Sequence, residues 1–138
     1  MAAMSMAERE AFLAGLHVGA ISVARQDGPP LTVPVWYRYE PGGDVRVHTG
    51  PESLKFRLVD AAREFSLLVQ DETPPYKYVS VSGPVVAVEP ETSQSDRESM
   101  ARRYYDGEAL AGYLKAIEGR PIVTLRMRPQ RWHSTDLS

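Results

Sequence analysis

The chain has 138 residues, of which 43% are hydrophobic and 25% charged, and a formal net charge of −2. That length suits one domain (1–138) around one core, and the apolar content argues against disorder. The charge balance gives no electrostatic case for a nucleic-acid or anionic-membrane partner, and the lack of cysteine excludes disulfides, thiolate nucleophiles and cysteine-ligated metals.

Residues 5–8, SMAE, have the form of a capping box, and Phe12, Leu13 and Leu16 follow at helical spacing. A short amphipathic helix therefore opens the chain. This start has no basic end followed by an apolar run, so no secretory signal is expected. No apolar stretch approaches the ~20 residues of a membrane span, and a cytoplasmic location is expected.

Residues 18–25 read as a strand and 26–30, QDGPP, as a turn. The run 31–40 alternates, with Leu31, Val33, Val35, Tyr37 and Tyr39 on one face. PGG at 41–43 turns it into a strand over 44–49, which predicts a three-stranded antiparallel meander. The period then changes from two to 3.6. Ser53 is the natural N-cap of a helix over 53–63, with a stripe of Leu54, Leu58, Ala61, Ala62 and Phe65.

Residues 64–71 return to strand, 72–75 form a loop, and 76–90 make a long strand with a bend at Gly83-Pro84. SDRE at 95–98 is a second possible capping box, opening a helix through Tyr105. Asp106-Gly107 interrupts it, and Leu110, Tyr113, Leu114 and Ile117 continue a helical stripe until Gly119 and Pro121. A last strand with a tail follows from residue 121. Hairpin turns dominate, so the pattern predicts an α+β fold: an antiparallel barrel with helices packed outside.

Three stretches carry chemistry. In TGPESLK, residues 49–55, a helix N-terminus offers unpaired amides and a partial positive charge, and Lys55 adds a cation where the helix macrodipole disfavours one. Ser53 has a hydroxyl to donate, and Thr49 and Gly50 allow close backbone approach. A phosphate explains Lys55; a capped helix with a solvated lysine explains the same residues. In VPVWY, residues 33–37, Pro34 cannot donate to a sheet ladder and Trp36 is a flat apolar wall, for a heterocycle or simply for an edge strand. In PPYKYVSV, residues 74–81, Tyr76, Lys77 and Tyr78 either cover a planar anion or are ordinary strand residues. Arg131, Trp132 and His133 share that ambiguity.

His17, His48 and His133 are scattered, so no metal site is expected. No Walker loop, G-x-G-x-x-G, G-x-S-x-G elbow or Ser-His-Asp order occurs. The chain offers no obvious acid, base or nucleophile, so an enzyme of this sequence needs a cofactor for its chemistry.

The order of these signals resembles the split β-barrel flavin and deazaflavin oxidoreductases of the pyridoxamine 5′-phosphate oxidase-like superfamily. It looks most like their actinobacterial branch, which uses the deazaflavin coenzyme F-420. The resemblance spans residues 8–132. It rests on the first helix before GAISVAR, on G-x-P-x-x-x-P-V-W-Y (28–37), on T-G-x-x-S-x-K (49–55), on D-x-x-P-P-Y-K-Y-V-S-V-S-G-P-V (71–85) and on R-P-x-R-W (128–132).

The resemblance implies a Greek-key-like split barrel and a homodimer with cofactor sites between subunits. Val33, Pro34, Val35 and Trp36 would run along the ring; His48, Thr49, Gly50, Ser53, Leu54 and Lys55 would hold the ribityl chain and phosphate. Tyr76, Lys77, Tyr78 and Trp132 would approach from the partner or line the open side, with Tyr76 or Tyr78 as candidate proton donors. The implied reaction is hydride transfer from reduced F-420 to an unsaturated or conjugated organic acceptor. An FMN enzyme of the same fold, and a non-catalytic flavin, haem or small-ligand binder, are the alternatives. RPQRWHSTDLS departs from the substrate motif of pyridoxamine phosphate oxidases proper, which makes that substrate a poor guess. Lys55, Arg57 and Lys77 are candidates for a groove that takes the F-420 tail.

Overall fold

A run that alternates apolar and polar residues buries one edge of itself, and such runs build most of this molecule. The computed structural model describes residues 2–138. Its elements are α1 (Met6–Ala14), β1 (Gly19–Val23), β2 (Leu31–Val35), β3 (Tyr37–Arg38), β4 (Val45–Thr49), α2 (Leu54–Ala62), β5 (Glu64–Gln70), β6 (Lys77–Glu89), α3 (Gln94–Tyr104), α4 (Gly107–Ala116), β7 (Val123–Met127) and β8 (Arg131–Asp136). Among the described residues no helix is long and apolar enough to cross a membrane.

Every strand pair is antiparallel. Neighbours run β2-β1-β5-β6-β7-β4-β3, with β8 added alongside β6. The non-consecutive pairs β1–β5 and β4–β7 make the connectivity Greek-key-like, and the sheet curls into a half-barrel carrying four helices. Ile21, Val45, Val47, Leu67, Val79, Leu125 and Met127 are fully buried inside it. Burial of such side chains is worth roughly 1.5–3 kcal/mol each, the main force that closes the curl.

The expected meander does not form. The run 31–40 divides at Trp36: Leu31–Val35 pairs with β1, whereas Tyr37–Arg38 pairs with β4 at the other end of the strand order. A helix side chain occupies the break. The Tyr37 amide donates to the Tyr104 hydroxyl at 3.2 Å, and that hydroxyl donates to the His17 carbonyl at 2.7 Å. A backbone donor that loses its strand partner is thus satisfied from α3. The alternation itself survives the break, since Val35, Tyr37 and Tyr39 are all buried.

β6 is the corner strand. Lys77–Ser82 lies between β5 and β8, and Val85–Glu89 pairs with β7. The bend falls at Gly83-Pro84 as expected, with the register shift just after it, between Val85 and Ala87. A Cβ on Gly83 would overlap the Arg128 carbonyl, so only glycine permits this approach. The expected last strand is two strands, β7 and β8, separated at 128–130.

The helix starts divide likewise. Ser5 and Glu8 form the reciprocal capping box, at 3.1 and 3.0 Å. Ser53 caps α2 by accepting the Phe56 amide. Of the expected stripe Leu58, Ala62 and Phe65 pack into the core, joined by Phe56 and Val59, whereas Ala61 is exposed and Leu54 is 42% exposed. The cap of α3 is Ser93, not Ser95, with its hydroxyl accepting the Asp96 amide at 3.1 Å. Thr92 fixes this start: its amide donates to Ile122 and its hydroxyl bonds Thr124 at 2.6 Å, so the first turn begins two residues early.

Candidate functional site

β2, the end of β4, the start of α2, and the α3–α4 pair surround a cleft of about 350 Å³. From the sheet side come Pro34, Val35 and Trp36, then His48, Thr49 and Gly50. Lys55 enters from the first turn of α2. The helices contribute Arg97, Met100, Ala101, Tyr113 and Ile117, and the approach to β7 adds Arg120, Pro121 and Ile122.

None of these residues is acidic, although acidic side chains outnumber basic ones in the chain, 18 to 16. Lys55, Arg97 and Arg120 make no ion pair among the described residues. Burial pushes the Lys55 ammonium below its ordinary value. A partly desolvated cation without a counter-ion is costly, and a bound anion would relieve that.

The start of α2 adds unpaired donors beside these cations. Ser53 accepts the Phe56 amide and donates to the Gly50 carbonyl at 2.9 Å, while the Thr49 hydroxyl sits 2.9 Å from Ser53. The Ser53 hydroxyl is therefore fully engaged in holding the turn. That leaves the first-turn amides of Leu54 and Lys55 as the available donors at this helix end.

His48 follows from strand alternation: Val47 and Thr49 are buried, and His48 looks the other way, into the cleft. Burial pushes its pKa down to about 4, with Asp96 opposing and Arg38, Arg97 and Arg46 adding to the effect. The imidazole is neutral at pH 7.

An aromatic cluster backs the cleft. Trp36 stacks on Tyr104 with centroids 4.6 Å apart and planes 8° from parallel, and it meets Tyr105 at 5.4 Å and Tyr113 at 5.0 Å. Trp36 and Tyr113 present this cluster to the cleft. Indole and phenol beside Pro34 and Val35 form a wall suited to a planar ring.

The structure thus gathers Pro34, Val35, Trp36, His48, Thr49, Gly50 and Lys55, and it sets Ser53 directly behind Thr49. Val33 packs against the core, and Leu54 is exposed beside the cleft rather than in it. Tyr76, Lys77, Tyr78 and Trp132 stand elsewhere in the chain. Tyr76 is 47% exposed. Lys77 approaches Asp136 at 3.8 Å, and the Tyr78 hydroxyl bonds His133 and Thr135, each at 3.0 Å. Trp132 lies under the Arg9 guanidinium, 4.8 Å away. Of Lys55, Arg57 and Lys77, Lys55 alone lines the cleft, and Arg57 is exposed.

Sequence reasoning missed the helical side of the cleft. Arg97, Tyr113 and Arg120 sit in helices and a turn where an exposed arginine or tyrosine is ordinary. The usable signal was aromatic: Tyr104, Tyr105 and Tyr113 crowd two short helices and converge on Trp36. Among the described residues no three His, Cys, Asp or Glu side chains gather to hold a metal.

The sequence profile of the family described as pyridoxamine 5′-phosphate oxidase matches residues 5–136. Among solved structures the chain is similar to an F420 reductase at 22% identity, covering 90% of this chain and 94% of that one, with a TM-score of 0.71. A conserved hypothetical protein of Mycobacterium tuberculosis superposes with a TM-score of 0.69 at 22% identity, over 97% and 86% of the two chains. A FAD-binding protein of Mesorhizobium loti does so at 0.66 and 21% identity, over 96% and 95%. These likenesses establish a shared fold. No curated protein matches the chain.

Proposed function

The chain belongs to the pyridoxamine 5′-phosphate oxidase family, and from that premise we propose that it is an oxidoreductase that uses a flavin-type cofactor, reduced F-420, to pass a hydride to an unsaturated or conjugated organic acceptor. The observation that carries this reading is the acid-free cleft in which Lys55, Arg97 and Arg120 accompany the aromatic wall of Trp36 and Tyr113. A phosphorylated, planar redox cofactor has the two properties such a cleft selects for: an anionic chain and a flat ring.

The residues present fit that group. Lys55 and the first-turn amides of α2 would hold the phosphate, and Thr49 and Gly50 let the chain approach the backbone. Pro34, Val35 and Trp36 would run along the ring. His48, neutral at pH 7, donates or accepts a hydrogen bond without adding charge. When bound, the cofactor would supply a hydride, which carries both electrons. The protein contributes orientation, because an acceptor confined beside the ring within this cleft reacts as if intramolecular.

In a homodimer, Tyr76, Lys77, Tyr78 and Trp132 of a second copy would cover the open side of the cleft, which reconciles their distance from it within one chain. FMN is the second cofactor candidate, since it shares the ring system and ribityl phosphate that the cleft would contact. Titration of the apoprotein with F-420 and FMN side by side tests the reading. F-420 is expected to bind the more tightly. Tighter FMN binding would move the protein to the flavin branch, and binding of neither would end the proposal.

A further inference from the structure

Seven tyrosines occur in the chain, and the structure accounts for most of their hydroxyls. Tyr37 donates to the Leu13 carbonyl at 2.5 Å, and Tyr39 donates to Glu10 at 2.8 Å. Tyr78 is bonded to His133 and Thr135, and Tyr104 to His17. Tyr76 and Tyr105 are exposed and do not line the cleft. Tyr113 alone among them lines it, and no hydrogen-bond partner for its hydroxyl occurs among the described residues. Its ring is held by Trp36 at 5.0 Å and Tyr105 at 5.2 Å, so the phenol is fixed in place but its polar end is free.

We infer that Tyr113 is the proton donor of the cleft, giving its phenolic hydrogen to the acceptor as the acceptor is reduced. This rests on the oxidoreductase reading above and supplies the group that reading lacks, because Tyr76 and Tyr78 lie away from the cleft within the chain. The step balances. A hydride with its electron pair passes from the reduced flavin-type cofactor to the electrophilic carbon of the acceptor. The Tyr113 O–H bond breaks, its proton goes to the carbonyl oxygen or the adjacent carbon, and water then reprotonates the phenolate. The acceptor gains two electrons and two hydrogens; the cofactor loses a hydride.

The other proton-bearing groups of the cleft fit this role less well. Arg97 and Arg120 carry guanidinium groups, which serve as hydrogen-bond donors rather than proton donors. His48 carries no proton to spare at neutral pH, and the Lys55 ammonium is the group assigned above to the phosphate. Burial raises the pKa of Tyr113; Tyr105 adds to this and Arg97 opposes it, so the phenol stays protonated at pH 7. A protonated donor without a partner among the described residues, on a side chain that lines the cleft, is available for general-acid assistance.

Two measurements on Tyr113→Phe test this, with the apoprotein's intrinsic tryptophan fluorescence, from Trp36 and Trp132, as a readout independent of turnover. The probes are 1,4-naphthoquinone, which has carbonyl acceptors, and naphthalene, which has none. Tyr113→Phe is expected to weaken naphthoquinone roughly three- to tenfold, the worth of one neutral hydrogen bond, while leaving naphthalene and F-420 affinity unchanged. In protein loaded with reduced F-420, single-turnover reduction of naphthoquinone is expected to slow by about 10²-fold and to lose its decline at alkaline pH. Unchanged naphthoquinone affinity, an unchanged rate, or an equal loss of F-420 affinity would overturn the assignment. Failure of wild-type protein to bind F-420 or FMN would sink the oxidoreductase reading instead, and the naphthoquinone–naphthalene difference would still report on the Tyr113 hydroxyl.

Discussion

Trp36 and Tyr104 stack with ring centroids 4.6 Å apart and planes 8° from parallel, and the same tyrosine's hydroxyl accepts the Tyr37 amide at 3.2 Å. One side chain of α3 therefore fixes both the aromatic wall of the cleft and the break that ends β2. Tyr104→Phe keeps the stack and removes the hydroxyl. It leaves the Tyr37 amide and the His17 carbonyl without that partner, at a cost of about 1–3 kcal/mol. Urea denaturation should show the lower midpoint with an unchanged slope, and amide exchange at Tyr37 should quicken. Wild-type stability in this variant would mean that water replaces the hydroxyl at no cost.

Gly83 makes a sharper prediction. A methyl group there meets the Arg128 carbonyl, a backbone atom that cannot turn aside. Gly83→Ala should destabilise by about 2 kcal/mol or more, since overpacking costs ~1–3 kcal/mol even where side chains can adjust. Thermal melts of the two proteins check it.

On the proposed reading Lys55 serves the ligand rather than the fold. Lys55→Ala should weaken cofactor binding by one to a few kcal/mol, roughly the range of a charge-assisted contact. It should leave apoprotein stability unchanged or slightly raised, because it removes a desolvated cation with no counter-ion. Calorimetric titration with F-420 and FMN reads the first effect, and a melt of the apoprotein reads the second. Equal affinity for both cofactors in variant and wild type would count against a phosphate at this helix end.

His48 sets a pH dependence whose sign follows from its environment. Its folded pKa of about 4 lies below the ordinary 6.5, so the unfolded chain binds the extra proton in between. The contribution of His48 is intact above pH 6.5 and is lost as the pH falls toward 4, by on the order of 3 kcal/mol. His48→Gln should flatten the stability curve over that window. An identical curve for the variant would assign the loss to other groups.

The sequence and the structure agree where local physics decides. Ser5 and Ser53 cap their helices, and Leu31 through Tyr39 alternate, because capping and period-two burial need only near neighbours. Agreement fails where distant residues decide. The break at Trp36 depends on Tyr104, and the start of α3 at Ser93 depends on Ile122 and Thr124. For the same reason the sheet side of the cleft was legible from GxPxxxPVWY and TGxxSxK, whereas Arg97, Tyr113 and Arg120 enter only because the helices fold back over Trp36.

Co-crystallisation with F-420, and in parallel with FMN, tests most directly whether this cleft grips a redox cofactor by its phosphate. Phosphate oxygens are expected about 3 Å from the Lys55 ammonium and from the first-turn amides of α2, with the ring laid along Pro34, Val35 and Trp36. A cofactor lodged elsewhere, with this corner filled only by solvent, would contradict it.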